Sequence, residues 1–341
     1  MTINKMKIQS VIAPVHKSLL KMELKEERFL RNTNKGHNEI YIVDAHNSPN
    51  IMWEIGRLRE IAFRSAGGGT GKSADIDEFD TMDEPCQQLI VWNPEAEEIV
   101  SGYRFILGEN MKFGSDGKPN IAMSHMFDYS DEFIKNYLPY TIELGRSFVS
   151  VEYQSTRAGA KGIYALDNIW DGLGALTVVY PNIKYLFGKM TMYPSYPKEC
   201  RNMILYFLDK YFHDPESLVT PIHALETSMN PRELDKIFSG ETFKDNYRTL
   251  KTNIRRGGVT IPPLVNSYMN LSPNMKVFGT AINTEFGDVE ETGIFITISE
   301  IYEDKKMRHI SSFYERFIEY RQEVIRRIRD YASAKKDNTL C

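Results

Sequence analysis

Charged residues set inside otherwise apolar segments constrain the folding of this chain more than any other feature. Arg59 falls next to the helical stripe Ile51, Ile55, Leu58 and Ala62, Arg104 among Tyr103, Phe105 and Leu107, and Glu143 and Arg146 interrupt Thr141-Ile142-Glu143-Leu144-Gly145-Arg146-Ser147-Phe148. An ionised group taken out of water must be paired and hydrogen-bonded, or its burial costs several kcal/mol. The elements bearing these charges must therefore meet. The run Asp75-Ile76-Asp77-Glu78-Phe79-Asp80 supplies further carboxylates for them. A network of this size is costly to build for packing alone, and it marks a site.

Hydrophobic periodicity places those residues on an α/β pattern. Residues 40–43 read as a short strand. Ser48 is a candidate cap for a helix that begins at Pro49 and carries Arg59 and Phe63 near its end, before Gly67-Gly68-Gly69. Strands are expected over 88–92 and 99–107, joined by a turn at Asn93-Pro94-Glu95, then over 140–151, 185–192, 277–283 and 293–299. Helices are expected over 163–179, 200–212 and 231–258, with Gly257 as the stop of the last, and again from Pro262-Pro263. Leu166, Ile169, Trp170, Leu173 and Leu176 give the first of these an inward face, and Trp170 is expected in the core. Residues 1–36 read as a basic extension, with a helix over 16–31 and a loop from Asn32 to Gly36. Residues 37–302 form the main domain, and 303–341 a charged C-terminal helix over about 304–334. Strands alternating with helices argue for one mixed α/β domain with helical extensions.

Within the strand around Glu143, period-two alternation sends Ile142, Leu144 and Phe148 to one face and Glu143, Ser147 and Val149 to the other. Arg146 then lies away from Glu143. A bulge at Gly145 changes this by re-aiming every side chain beyond it, so irregular ladder pairing is expected there.

Composition narrows the function classes. The 341 residues carry a net charge of −4, which gives no footprint for nucleic acid. Basic residues crowd both ends, and the N-terminal group is a candidate for peripheral contact with anionic membrane. Three scattered cysteines form neither a disulfide framework nor a zinc spacing, and the seven histidines show no metal-ligand spacing. No apolar run approaches the roughly 20 residues of a spanning helix. A cytoplasmic enzyme is expected, without a permanently bound cofactor or metal. Gly67-Gly68-Gly69-Thr70-Gly71-Lys72-Ser73 imitates a phosphate-binding loop, but Ala66 stands where the pattern needs glycine. A helix precedes the motif and an acidic run follows it, the wrong context. The alternative is a mobile loop that closes over substrate.

Arg59, Phe63, Asp77, Asp80, Arg104, Phe127, Glu143 and Arg146, in this order and rough spacing, resemble the pattern of acyl-homoserine lactone synthases. These belong to the acyl-carrier-protein-dependent N-acyltransferases of the GNAT-like superfamily. Glu54-Ile55-Gly56-Arg57-Leu58-Arg59-Glu60-Ile61-Ala62-Phe63-Arg64, Glu152-Tyr153-Gln154, Tyr185-Leu186-Phe187-Gly188 and Pro262-Pro263-Leu264 are similar to blocks of the hemolysin-like, ornithine-lipid-synthase branch. Over about 40–300 the chain looks like the Bacteroides-type members that acylate glycine to make glycine lipids. The resemblance implies a GNAT-like sheet splayed at its central strand, a 3-hydroxyacyl donor on acyl carrier protein, and a small amino acid as acceptor.

It also implies roles. Glu143 is the candidate proton acceptor, and Arg104 and Arg146 are candidates for the acceptor's carboxylate. Arg59, Phe63, Asp77, Asp80 and Phe127 line the substrate site. Ser147, Val149, Gln154, Arg157, Gly159, Lys161 and Gly162 meet the donor's pantetheine, the last five in a loop opening a helix. That loop matches the acetyl-CoA loop of GNAT enzymes only loosely, which favours a carrier-protein donor. Two alternatives stand beside this reading: an acetyl-CoA-dependent transferase for small amines, and a non-enzymatic, membrane-associated hemolysin-like protein. A homoserine-lactone synthase is disfavoured, since no S-adenosylmethionine pocket is legible.

Overall fold

The computed structural model describes residues 8–154, 164–227, 230–315 and 317–319. Ten strands are present: β1 (Phe29–Asn32), β2 (Glu39–Val43), β3 (Gln87–Asn93), β4 (Glu98–Leu107), β5 (Phe127–Tyr129), β6 (Thr141–Val149), β7 (Tyr185–Met192), β8 (Val219–Pro221), β9 (Lys276–Asn283) and β10 (Val289–Thr297). Eight of them form one sheet in the order β1-β2-β3-β4-β6-β7-β10-β9, and β5 pairs with β8 apart from it. Neighbours in the large sheet are antiparallel except β6 and β7. A parallel pair needs a crossover, and a helix lies between these two strands in the chain.

The helices are α1 (Lys17–Glu23), α2 (Pro49–Ala66), α3 (Glu78–Thr81), α4 (Ala165–Val179), α5 (Lys198–Phe212), α6 (Pro231–Ile237), α7 (Phe243–Arg256) and α8 (Pro263–Met269). Both faces of the central strands are covered, so β3 reads as the nearly continuous apolar run Leu89-Ile90-Val91-Trp92. Alternation divides them. Ile90, Trp92, Ile99 and Phe148 pack with Ile51, Ile55 and Phe63 of α2. Leu89, Val91, Phe105, Ile142 and Leu144 pack with Ile169 and Leu173 of α4 and Ile204 and Phe207 of α5. A third cluster, built on Phe127, Phe133, Phe187, Phe278 and Phe295 with Ile106, continues the α2 side. The result is a GNAT-like sheet flanked by helices.

Several elements differ from expectation for identifiable reasons. The helix expected over 16–31 stops at Glu23, whose carboxylate accepts from the backbone N–H of Asn50 (3.1 Å) and Ile51 (2.8 Å). Those are orphan donors at the start of α2, so Glu23 caps that helix and Ser48 does not, although Ser48 holds the N-cap position. Phe29–Asn32 then pairs with β2 as the sheet's edge strand. The helix expected over 231–258 divides at Gly240, whose N–H and C=O are both bonded by the Asn246 side chain, each at 2.9 Å. The C-terminal helix is irregular from the start: four α-helical residues pass into a wider turn over Met307–Ser311. His309 there bonds Asp171 at 2.8 Å. Residues 312–315 and 317–319 are helical again, and the rest of the span expected as that helix lies outside the described residues. Among the described residues no helix is long and apolar enough to cross a membrane.

Candidate active site

The β4–β6 ladder is irregular where Gly145 predicts it. Gly102 pairs with Phe148, and two residues on, Arg104 pairs with Gly145, so β6 carries one extra residue opposite Tyr103. Arg146 takes the strain, with φ of +50°. The bulge reverses the faces beyond it. Phe148 joins the α2 cluster, away from Ile142 and Leu144, and Val149 packs on the α4 side. Ser147 shares a hydrogen bond with Tyr103. Simple alternation is thus corrected for Ser147, Phe148 and Val149, and Arg146 comes round to the face of Glu143 and Arg104.

On that face three arginines meet three aspartates. Arg59 Nη1 lies 3.3 Å from both oxygens of Asp80, and its Nη2 donates to Gln88. Arg104 Nη1 lies 2.5 Å from Asp77 and 3.3 Å from Asp80. Arg146 reaches Asp75 with Nε (3.0 Å) and Asp77 with Nη2 (3.4 Å), while its guanidinium lies 4.3 Å over the Phe286 ring. Asp77 also caps α3 reciprocally with Asp80. Burial raises the Asp75 carboxyl, with Arg146 and Arg59 opposing it. Burial works the same way on Asp77, but Arg104, Arg146 and Arg59 outweigh it and hold that carboxyl well below its usual range. For Arg104 the cost of burial is exceeded by Asp80 and Asp77, so its guanidinium stays firmly charged.

Glu143 stands apart from this balanced set. It is 2 % exposed, and burial raises its carboxyl above the usual range, only partly offset by Arg104 and Lys189. It lies behind Gly145, whose missing Cβ would sit 3.8 Å from Glu143 Oε1. A carboxyl whose pKa is lifted in this way is a stronger base than an ordinary carboxylate, which suits proton acceptance.

Beside it the sheet opens. The β6–β7 ladder ends at Leu144↔Gly188, although β6 continues to Val149 and β7 to Met192. A cavity of about 510 Å³ occupies the divergence. Its walls come from both sides of the sheet: Tyr103, Ser147 and Leu166 from the α4 side, Phe63, Arg146 and Lys189 from the α2 side. The Tyr103 hydroxyl, buried in the wall, lies 2.7 Å from that of Tyr268. Lys189 pairs with Glu291, another wall residue.

The glycine loop is neither a phosphate cradle nor a free lid. Glu60 of α2 fills it: its carboxylate accepts from Thr70 N (3.1 Å), Thr70 Oγ1 (2.7 Å) and Gly71 N (2.8 Å), and from Arg64 Nε (2.6 Å). The backbone donors that would cradle a phosphate are already engaged by an internal anion.

Of the residues singled out from the sequence, Arg59, Asp77, Asp80, Arg104 and Arg146 converge in one network. Phe63, Ser147, Val149 and Gln154 line the cavity beside Arg146. Arg59 and Arg104 both pair with Asp80 behind it, and each keeps a buried Nε without a hydrogen-bond partner. Phe127 is packed in the aromatic cluster and does not line the cavity, because β5 sits outside the large sheet. Arg157, Gly159, Lys161 and Gly162 lie outside the described residues. Sequence reasoning named Asp75 only as part of the acidic run and passed over Gln88, Lys189 and Glu291. The charge at 189 interrupts an apolar strand, the same signal that exposed Arg104 and Glu143, whereas Glu291 stands between Glu290 and Thr292 and carries no such contrast.

A family model described as an acetyltransferase (GNAT) domain matches residues 58–161. The chain is 61% identical over 306 residues to the glycine N(alpha)-acyltransferase of Phocaeicola vulgatus, covering 90% of this chain and 94% of that one. It is 64% identical over 308 residues to the glycine N(alpha)-acyltransferase of Bacteroides thetaiotaomicron, covering 90% and 91%. Among solved structures, FeeM, an N-acyl amino acid synthase from uncultured soil microbes, aligns over 78% of this chain and 94% of its own, at 13% identity and a TM-score of 0.38.

Proposed function

This chain belongs to the glycine N(alpha)-acyltransferase family, and from that premise we propose that it moves a long-chain 3-hydroxyacyl group from acyl carrier protein to the amino group of glycine, as a step in membrane aminolipid synthesis. The amine nitrogen attacks the thioester carbonyl carbon. The C–N bond forms, the C–S bond breaks, the carrier thiolate leaves and takes up a proton, and the nitrogen's proton passes to Glu143 directly or through water. No covalent enzyme intermediate is required.

The observation that carries this reading is Glu143 itself, a buried carboxyl with a raised pKa placed behind the open seam at Gly145. The seam offers the thioester a path between β6 and β7, where backbone N–H groups of the diverging strand suit a developing oxyanion. The apolar walls suit an acyl chain. The carrier-protein donor and the lipid role rest on the sequence resemblance, as does contact of the basic N-terminus with membrane.

The test is mass spectrometry of lipids from a bacterial host expressing the chain beside its Glu143→Ala variant. N-(3-hydroxyacyl)glycine is expected with the first and lost with the second. With purified protein, acyl carrier protein thioesters are expected to outrun the matching CoA thioesters. Preference for acetyl-CoA, or no new amide from folded protein, refutes the reading.

A further inference from the structure

The cationic side chains among the described lining residues are Arg146 and Lys189. Arg146 is committed through Nε and Nη2 to Asp75 and Asp77. Lys189 is differently placed. It is 8 % exposed at its side chain, and its Nζ pairs with Glu291. Glu291 is steadied by Thr191 Oγ1 at 3.4 Å and Asn283 Nδ2 at 3.3 Å. An ammonium has three donors, and its pairing with the Glu291 carboxylate does not exhaust them, which leaves capacity for a second anion.

The backbone fixes where that anion would lie. Leu144↔Gly188 is the last bridge of the parallel pair, so the next residues are Gly145 on β6 and Lys189 on β7. Lys189 therefore stands across the apex of the seam from Gly145, with the Glu143 carboxyl behind it. The field of Lys189 already reaches Glu143. In an α-amino acid one carbon separates amine from carboxylate, a span suited to this apex. Arg104 is a poorer candidate for holding the carboxylate, being already bound by both Asp77 and Asp80.

We infer that Lys189 anchors the acceptor's carboxylate at the apex of the seam, with Glu291 positioning its ammonium, so that the acceptor's amine is turned toward Glu143. The inference rests on the proposed amine acylation and names the residue that selects an amino acid over a plain amine.

The experiment compares glycine with glycinamide, which keeps the amine and removes the charge, at saturating acyl donor. The wild-type enzyme is expected to prefer glycine in kcat/KM. Lys189→Met is expected to shrink that preference roughly tenfold to hundredfold, the worth of a charged hydrogen bond. The loss should appear in the KM for glycine, with the glycinamide and donor KM values unmoved. Because Lys189→Met strands the buried Glu291, the double variant Lys189→Met/Glu291→Gln is measured alongside, and it decides if the single variant does not fold. A purely structural role lowers both acceptors together and overturns the anchor. So does an unchanged preference in an enzyme that acylates glycine. A wild-type enzyme that acylates neither acceptor overturns the reaction, and the anchor with it.

Discussion

Replacing Gly145 by alanine should leave the protein folded and stop its chemistry. An added Cβ meets Glu143 Oε1 at 3.8 Å and nothing else within 4 Å, and Gly145 is not among the glycines with positive φ. The substitution is therefore unstrained, and by stiffening the unfolded chain it should change stability by no more than about 1 kcal/mol, in the favourable direction. Catalysis fares differently. A proton reaches Glu143 only if a nitrogen or water approaches to about 2.7–3.2 Å, and the new methyl occupies that approach. Loss of general-base assistance is worth roughly 10²–10⁴-fold, or about 3–5 kcal/mol of transition-state stabilisation. The assay is kcat/KM for glycine by thiol release, beside the thermal midpoint. Gly145→Ala added to Glu143→Gln should cost little more, since both cut one route. Full activity at an unchanged midpoint, or independent losses in the double variant, would refute the reasoning. Gly188→Ala provides the contrast. Its Cβ would lie 2.7 Å from the Leu144 carbonyl oxygen, so it should destabilise by about 1–3 kcal/mol through overpacking.

Arg59→Met should cost about 3–5 kcal/mol in denaturant unfolding, because Asp80 and Gln88 lose a fully buried partner. Glu60→Ala should free residues 67–73, read as faster backbone hydrogen exchange there, with a stability loss of about 1–3 kcal/mol from the donors left unanswered. Glu143 must be deprotonated to act, so kcat/KM should fall as pH drops through a value above the ordinary 4.5, and Glu143→Gln should lose that limb. For stability the sign is opposite. A raised carboxyl favours the protonated fold, a contribution full below the unfolded value and lost as pH rises through the folded one. Glu143→Gln should therefore unfold at a higher temperature than wild type at neutral pH. Asp77 runs the other way: its stabilisation is present above its ordinary 3.8 and lost as pH falls, so Asp77→Asn should flatten the acid limb of the unfolding profile.

The parts of the fold legible in sequence are those decided locally. The period of α2, the apolar run of β3 and the limits of β7 all follow from neighbours along the chain. The disruption near Gly145 was legible too, because a glycine inside an alternating strand has few other uses. Its detail was not. The extra residue is defined by pairing with β4, so the left-handed backbone fell on Arg146, and Ser147, Phe148 and Val149 changed faces with it. The β1 edge strand escaped because its pairing to β2 is a tertiary choice that overrides a weak helical preference. Resemblance to the acyl-homoserine lactone synthase pattern puts Phe127 in the site, and only the third dimension separates it from the cavity. Lys189 was within reach of the argument that found Arg104, since it is a charge in an apolar strand, but Glu291 sits between Glu290 and Thr292 and offers no such contrast.

Beyond Leu144, β6 is an edge strand in the middle of a sheet. Edges carry unanswered N–H and C=O groups that attract any extended chain, and here the edge faces the cavity. Gln154 already answers one of these groups, donating to the Val149 carbonyl at 2.6 Å. An extended donor bearing amides would answer others along the way, much as an added strand does. On the proposed function, the donor would lie along this edge as an added strand. Donor occupancy should then register as heat stability, with a thermal midpoint that climbs with donor concentration whether or not the acyl group is transferred.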